Sequence, residues 1–153
     1  MAGAHSLRPT PIAKRHCDGC TLCCTLLSVE ELEKSPGTTC VHCREGRGCK
    51  IYDGRPTECR GFFCQYLLDE ALGEEWRPSR SHIVVAFEDY TNSIVIHVDR
   101  RHPDAWQSEP FASQIKAWAA LPVAGAPKVI VWQGDQRVAI EPDLAGADSG
   151  VVA

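Results

Sequence analysis

The sequence predicts an α+β protein in two parts: a loop-rich cysteine half with short helices, and a small, mainly antiparallel β-β-α-β-β half. Three observations predict it. All nine cysteines fall between Cys17 and Cys64, and the 89 residues after Cys64 have none. The stretch from Gly37 to Thr57 is polar and broken by Gly46, Gly48, Gly54 and Pro56, a composition that resists regular structure. Beyond Trp76, runs rich in Val and Ile alternate with turn residues, the pattern of short strands.

In chain order, residues 1–15 read as a flexible arm. It holds Pro9 and Pro11, and although it carries Arg8, Lys14 and Arg15 it lacks the apolar run of a secretory signal. Residues 16–75 form the cysteine region. In it Ser28 reads as an N-cap with Glu31 three positions on, and Leu27 with Leu32 can form the hydrophobic staple, which predicts a helix over Val29 to Lys34 ending at Pro36-Gly37. A second helix is expected from about Phe62 to Leu72, with Phe63, Leu67 and Ala71 on one face and Gly73 as the stop. Residues 76–142 form the small α+β region. His82 to Glu88 and Ser93 to Val98 predict a hairpin around Asp89 to Asn92. Ser108 caps a helix to about Ala120, with Pro110 tolerated in its first turn, Phe111, Ile115 and Trp118 on its inner face and Pro122 as its end. Lys128 to Gln133 and Gln136 to Glu141 predict a second hairpin around Gly134-Asp135, a type II′ signal. Residues 143–153 read as a flexible tail.

Composition narrows the function. Net charge is −4, and residues 1–75 carry 9 Lys+Arg against 11 Asp+Glu while residues 76–153 carry 7 against 9. Neither half is basic, so no phosphate-tracking nucleic-acid partner is expected. The longest apolar runs are a handful of residues, whereas a helix crossing a bilayer needs about 20, so no membrane span is expected. An odd count of locally clustered cysteines without an export signal differs from the even, dispersed set of a disulfide-stapled secreted domain. In a reducing cytoplasm, metal ligation explains such a cluster better.

The cysteines fall in three blocks: Cys17-x2-Cys20-x2-Cys23-Cys24, Cys40-x2-Cys43-x5-Cys49 and Cys59-x4-Cys64. Two-residue gaps let a tight turn present successive sulfurs to one centre, as in the opening of bacterial ferredoxin ligand runs and in zinc knuckles. Adjacent Cys23 and Cys24 tend to point apart, so either they serve two centres or only one of them ligates. Buried cysteines acting as small hydrophobes would not give this local density. Nine thiols exceed the four or so that one zinc or one cubane takes. Hence either there are two centres, or some thiols are spare or redox-active.

The run Cys17-Asp-Gly-Cys-Thr-Leu-Cys-Cys24, followed by Gly48-Cys-Lys-Ile-Tyr-Asp-Gly-Arg-Pro-Thr-Glu-Cys59 and Arg60-Gly-Phe-Phe-Cys64, resembles the YkgJ-like CxxCxxCC family of zinc- or iron-chelating domains. The resemblance covers about Cys17 to Leu68. Many members have a single cysteine where this chain has Cys40 and Cys43. The resemblance implies metal chelation and iron–sulfur binding as an option, and it implies no reaction.

Other residues carry weaker signals. Arg55 and Arg60 can donate to cluster sulfurs or pair with Asp53 and Glu58. His42 can ligate or hydrogen-bond a sulfur, and His16 is expected outside the ligand set. Tyr52 and Phe62 are expected as walls of a small core. His82, His97 and His102 are scattered, with His82 and His97 on the two arms of one hairpin. The expected cofactor is an iron–sulfur cluster, for example 4Fe-4S and slightly favoured, or zinc, in one or two centres. The expected role is structural, sensory or metal-handling, with the β-rich half as support or as a docking surface for a protein partner. The alternative is a cluster-dependent redox enzyme or electron carrier that uses the surplus cysteines, although no nucleotide, flavin or acid–base signature accompanies them.

Overall fold

The computed structural model describes residues 11–16, 20–120 and 125–141, with Arg60 and Gly61 described by their backbone alone. Cys17, Pro122 and the tail from 142 onward lie outside the described residues. The chain is α+β and divides into two compact units, Met1–Val84 and Val85–Ala153. The division falls within a strand, so residues 76–84 belong with the cysteine region rather than with the β-rich half.

The first unit is built of single turns joined by loops. Helix α1 spans Leu22–Leu26, and strands β1 (Cys43–Arg44) and β2 (Gly48–Cys49) pair as a short antiparallel hairpin. Helices α2 (Thr57–Gly61), α3 (Gln65–Leu68) and α4 (Pro78–Ser81) follow, with 3-10 turns at Glu30–Leu32, Tyr52–Gly54 and Glu74–Trp76. Among its described residues Leu22, Leu26, Val29, Cys64, Tyr66, Leu67, Leu72, Trp76, Ile83 and Val84 are buried, and of these only Leu22, Leu26 and Val29 precede Cys64. A segment so poor in buried apolar side chains usually needs a covalent or metal staple.

Two expected helices are shorter than the sequence suggests. Over Val29 to Lys34 there is only the 3-10 turn, closed by a bridge between Val29 and Lys34. The capping box does not form because Glu31 is used over a longer range. Its Oε1 accepts from the Thr57 N–H at 2.9 Å, and its own N–H donates to Glu58 Oε1 at 3.1 Å. Glu31 thus satisfies an orphan donor at the start of α2, the task of an N-cap, from 26 residues away. The helix expected over Phe62 to Leu72 is likewise interrupted. Phe62 has an extended backbone and ends α2, Cys64 is extended and precedes α3, and α3 closes at Leu68. Gly73 precedes the Glu74–Trp76 turn instead of ending a helix.

The described part of the N-terminal arm is anchored. Ile12 N–H donates to the Leu67 carbonyl at 2.8 Å. The Arg15 guanidinium lies over the Tyr66 ring at 4.3 Å, donating to the Tyr66 carbonyl and, at 3.1 Å, to that of Asp69. Cation–π stacking and backbone pairing fix residues 12–15 against α3.

The second unit is built on a four-stranded sheet in the order β3 (Ile83–Glu88, of which Val85 onward belongs to this unit), β4 (Ser93–Val98), β5 (Lys128–Gln133), β6 (Gln136–Ile140). Helix α5 spans Phe111–Ala119 and lies against β5 and β6. The β5–β6 hairpin forms as expected, with Gly134 at φ 65° in its turn. The sheet is mixed, and its central pair is parallel: β4 and β5 run from Ser93 opposite Lys128 to Val98 opposite Gln133. The cause is the connection. The segment from Asp99 to Pro127 carries a helix and is long enough for a crossover, which a parallel pair requires. Val95, Ile96, Val98, Ile115, Val129, Ile130 and Val131 are buried. In α5 the first turn is satisfied by Glu109, whose carboxylate accepts from Ser113 N–H at 3.2 Å and Ser113 Oγ at 2.6 Å.

Candidate metal centre

Backbone hydrogen bonds gather the second and first cysteine blocks. Cys40 N–H donates to the Cys24 carbonyl at 3.0 Å, and Cys43 N–H turns back to the Cys40 carbonyl at 3.0 Å. His42 N–H points at Cys40 Sγ, 3.4 Å away, an amide–sulfur contact of the kind that stabilises thiolates. The role of His42 here is through its backbone: its carbonyl accepts from Lys50 N–H at 2.8 Å and brackets the β1–β2 pair. In that pair Cys43 stands opposite Cys49.

The hairpin depends on two glycines. Arg47 N–H reaches the Arg44 carbonyl at 2.7 Å, and between them Gly46 takes φ +75°, the left-handed conformation that the third position of such a turn requires. Gly48 sits at φ +130° in β2 itself. Gly46 N–H is held by the Thr21 hydroxyl at 3.0 Å, which ties the hairpin tip to the residue before α1.

The side chains act on one another electrostatically. Cys23 and Cys43 both hydrogen-bond Cys24, and the charges of Lys34 and Arg55 act on it. The Cys24 thiol is lowered to about 6, chiefly because Cys23 donates to it, with burial opposing and Cys43, Lys34 and Arg55 assisting. Its partner moves the other way: burial, then the neighbouring charge on Cys24, raises Cys43 to about 11. Burial also raises Cys59, with Cys24, Cys40 and Cys49 adding and Arg55 opposing. Cys23, Cys24, Cys40, Cys43, Cys49 and Cys59 therefore share one neighbourhood, and each is half-buried.

Lys34 is the residue that sequence reasoning passed over. Its side chain is buried, and its ammonium donates to the Leu27 carbonyl and, at 3.4 Å, to that of Ser35. Burial lowers its pKa, and Cys40, Cys24, Cys23 and Cys59 counter this by favouring the charged form. A buried ammonium facing four thiols has a clear electrostatic use: it favours thiolate over thiol. The only signal in the sequence was a lysine between two cysteine blocks.

The remaining predicted residues are placed as follows. Cys64 is buried just before α3, and Cys20 is half-buried just before α1. Cys17 and the Arg60 side chain lie outside the described residues. Arg55 acts on Cys24 and Cys59, donates Nε–H to the Tyr52 carbonyl at 2.9 Å and lies 3.9 Å over the Tyr52 ring. Tyr52 is no core wall: it is 55% exposed, and its ring serves as a platform for Arg55. His16 is exposed. In the second unit, His97 lies in β4, and burial, eased by the Glu88 charge, lowers it to about 4. His102 Nδ1 lies 3.6 Å from Asp99 Oδ2, while Arg101 donates from its backbone and guanidinium to the same carboxylate.

Among the described residues no three cysteine sulfurs lie within 4.8 Å of one another. Thiolates on a single tetrahedral zinc sit about 3.8 Å apart, given Zn–S bonds of about 2.3 Å. The thiols are gathered but not closed onto a point. No protein-family model, curated protein or solved structure matches the chain.

Proposed function

We propose that this chain is a thiolate metal-binding protein, with its centre drawn from Cys23, Cys24, Cys40, Cys43, Cys49 and Cys59 in the first unit. Cys17, Cys20 and Cys64 are the further ligands on the strength of their spacing and of the CxxCxxCC resemblance. The observation that carries the reading is the convergence of Cys23, Cys24, Cys40 and Cys59 on Lys34, with Arg55 acting on Cys24 and Cys59, two cations that favour thiolates. Disulfide scaffolding would not need such a cationic setting, and thiolate ligation benefits from it.

An iron–sulfur cluster is favoured over zinc. Its ligands attach to separate irons and are spread around a core, which suits an open set of sulfurs better than a single tetrahedral ion does. When bound, the metal supplies the staple that the small apolar core of the first unit lacks. The proposed role is structural, sensory or metal-handling, with a cluster-dependent redox enzyme or electron carrier as the alternative. The test is anaerobic purification followed by iron, zinc and acid-labile sulfide analysis. Stoichiometric iron and sulfide support the cluster reading. Stoichiometric zinc without sulfide keeps thiolate ligation and replaces the metal, and a chain free of both metals overturns the function.

A further inference from the structure

Cys43 and Cys49 occupy directly opposed positions in the β1–β2 hairpin. The hydrogen bond from Lys50 N–H to the His42 carbonyl, 2.8 Å long, joins the residues flanking that pair. The pair is therefore of the non-hydrogen-bonded kind, in which the two Cα atoms approach to about 4.5 Å and the side chains share a face. A disulfide accepts Cα separations of about 4.4 to 6.8 Å. By contrast, Cys23 and Cys24 are neighbours in sequence, with Cα atoms about 3.8 Å apart, too close for an ordinary bridge. Both hairpin cysteines are half-buried and so within reach of a small oxidant.

We infer that the β1–β2 hairpin is a redox latch: a disulfide oxidant of the oxidised-glutathione type joins Cys43 to Cys49 and withdraws both thiols from the metal centre. The effect on metal rests on the proposed function; the bridge itself does not. The chemistry is two exchanges. One cysteine sulfur attacks the oxidant's S–S bond, forming a mixed disulfide and releasing one small thiol, which takes the proton that cysteine loses. The second cysteine sulfur then attacks the protein sulfur of the mixed disulfide, forming the Cys43–Cys49 bond and releasing a second small thiol with the second proton. Two protein thiols are oxidised and one oxidant disulfide is reduced to two thiols. The latch reopens readily, because the closed loop is only a few residues long and constrains the unfolded chain little.

The full chain, purified reduced and metal-loaded, is incubated with oxidised glutathione, quenched with an alkylating agent in acid and digested with trypsin. Cleavage after Lys34, Arg44, Arg47 and Lys50 puts Cys43 on the peptide Ser35–Arg44 and Cys49 on the tripeptide Gly48–Lys50. The expected product is these two peptides joined, with fragmentation between His42 and Cys43 assigning the bridge to Cys43 rather than Cys40. Metal leaves in step with the bridge and returns after reduction by a thiol. A bridge from Cys49 to any other cysteine, or metal loss with Cys43 and Cys49 both alkylated, overturns the latch. A bridge formed with metal retained overturns its control of the centre. If the reduced chain never held metal yet forms the bridge, the latch chemistry stands and the proposed function fails.

Discussion

Replacing Gly48 by alanine tests whether the hairpin backbone is coupled to the metal. Gly48 holds φ +130°, and a Cβ added there meets nothing within 4 Å. The whole effect is therefore backbone strain, with no steric clash to confuse it. A non-glycine residue forced into that sparsely populated region costs about 1–3 kcal/mol. If metal binding fixes the hairpin, that cost appears in the affinity, at about 1.4 kcal/mol per factor of ten, as a loss of about 5- to 150-fold. Gly54 supplies the control. It lies in the same loop region, an added Cβ also meets nothing within 4 Å, and its φ is not in the left-handed range. Competition titration against a chromophoric chelator measures both variants. Gly48→Ala should weaken binding within the stated range and Gly54→Ala should leave it within about twofold, less than 0.5 kcal/mol. Equal affinities for Gly48→Ala and the unaltered chain would refute the coupling of hairpin to metal.

Three other outcomes follow from the same structure. His97 is lowered from 6.5 to about 4, chiefly by burial, so below pH 6.5 the unfolded chain binds a proton that the folded chain refuses. Its contribution to stability is then full above about 6.5 and falls as the pH drops toward 4, by up to about 3 kcal/mol. Urea midpoints at pH 7 and pH 4.5 should converge in His97→Gln, and an unchanged pH dependence in that variant removes His97 as the source. Lys34→Met removes the ammonium facing Cys40, Cys24, Cys23 and Cys59. The pH midpoint for alkylation of the metal-free thiols should move up, and an unmoved midpoint means that Lys34 does not tune them. Chelation under reducing conditions should open the first unit to proteases between Cys24 and Cys59 while residues 85–141 stay resistant; equal resistance with and without metal contradicts metal as the organiser.

Periodicity made the second unit legible. Strands rich in Val and Ile at residues 83–88, 93–98 and 128–133, and the Gly134-Asp135 turn, follow local rules that the structure keeps. The β4–β5 direction was legible in part: a strand, a helix and a strand in succession is the order of a crossover connection, which a parallel pair requires. In the first unit local rules mislead. Ser28 and Glu31 look like a capping box, yet Glu31 serves Thr57 instead, a long-range partner invisible to any short window. Tyr52 looks like a core residue by type, but its ring supports Arg55 at the surface. The cysteine spacing was plain in the sequence, whereas the position of Lys34 among the thiols depends on the Val29–Lys34 bridge and the tie from Cys40 to Cys24. Both features are products of folding, so the charge environment of the candidate site was hidden while its thiols were plain. No helix among the described residues is long and apolar enough to cross a membrane.

The most direct test of thiolate metal binding is X-ray absorption at the edge of the metal that copurifies with the full chain. The account predicts a nearest shell made of sulfur at about 2.3 Å, with a metal–metal shell beyond it if the centre is a cluster. A nearest shell of oxygen and nitrogen at about 2.0–2.1 Å, without sulfur, would contradict it.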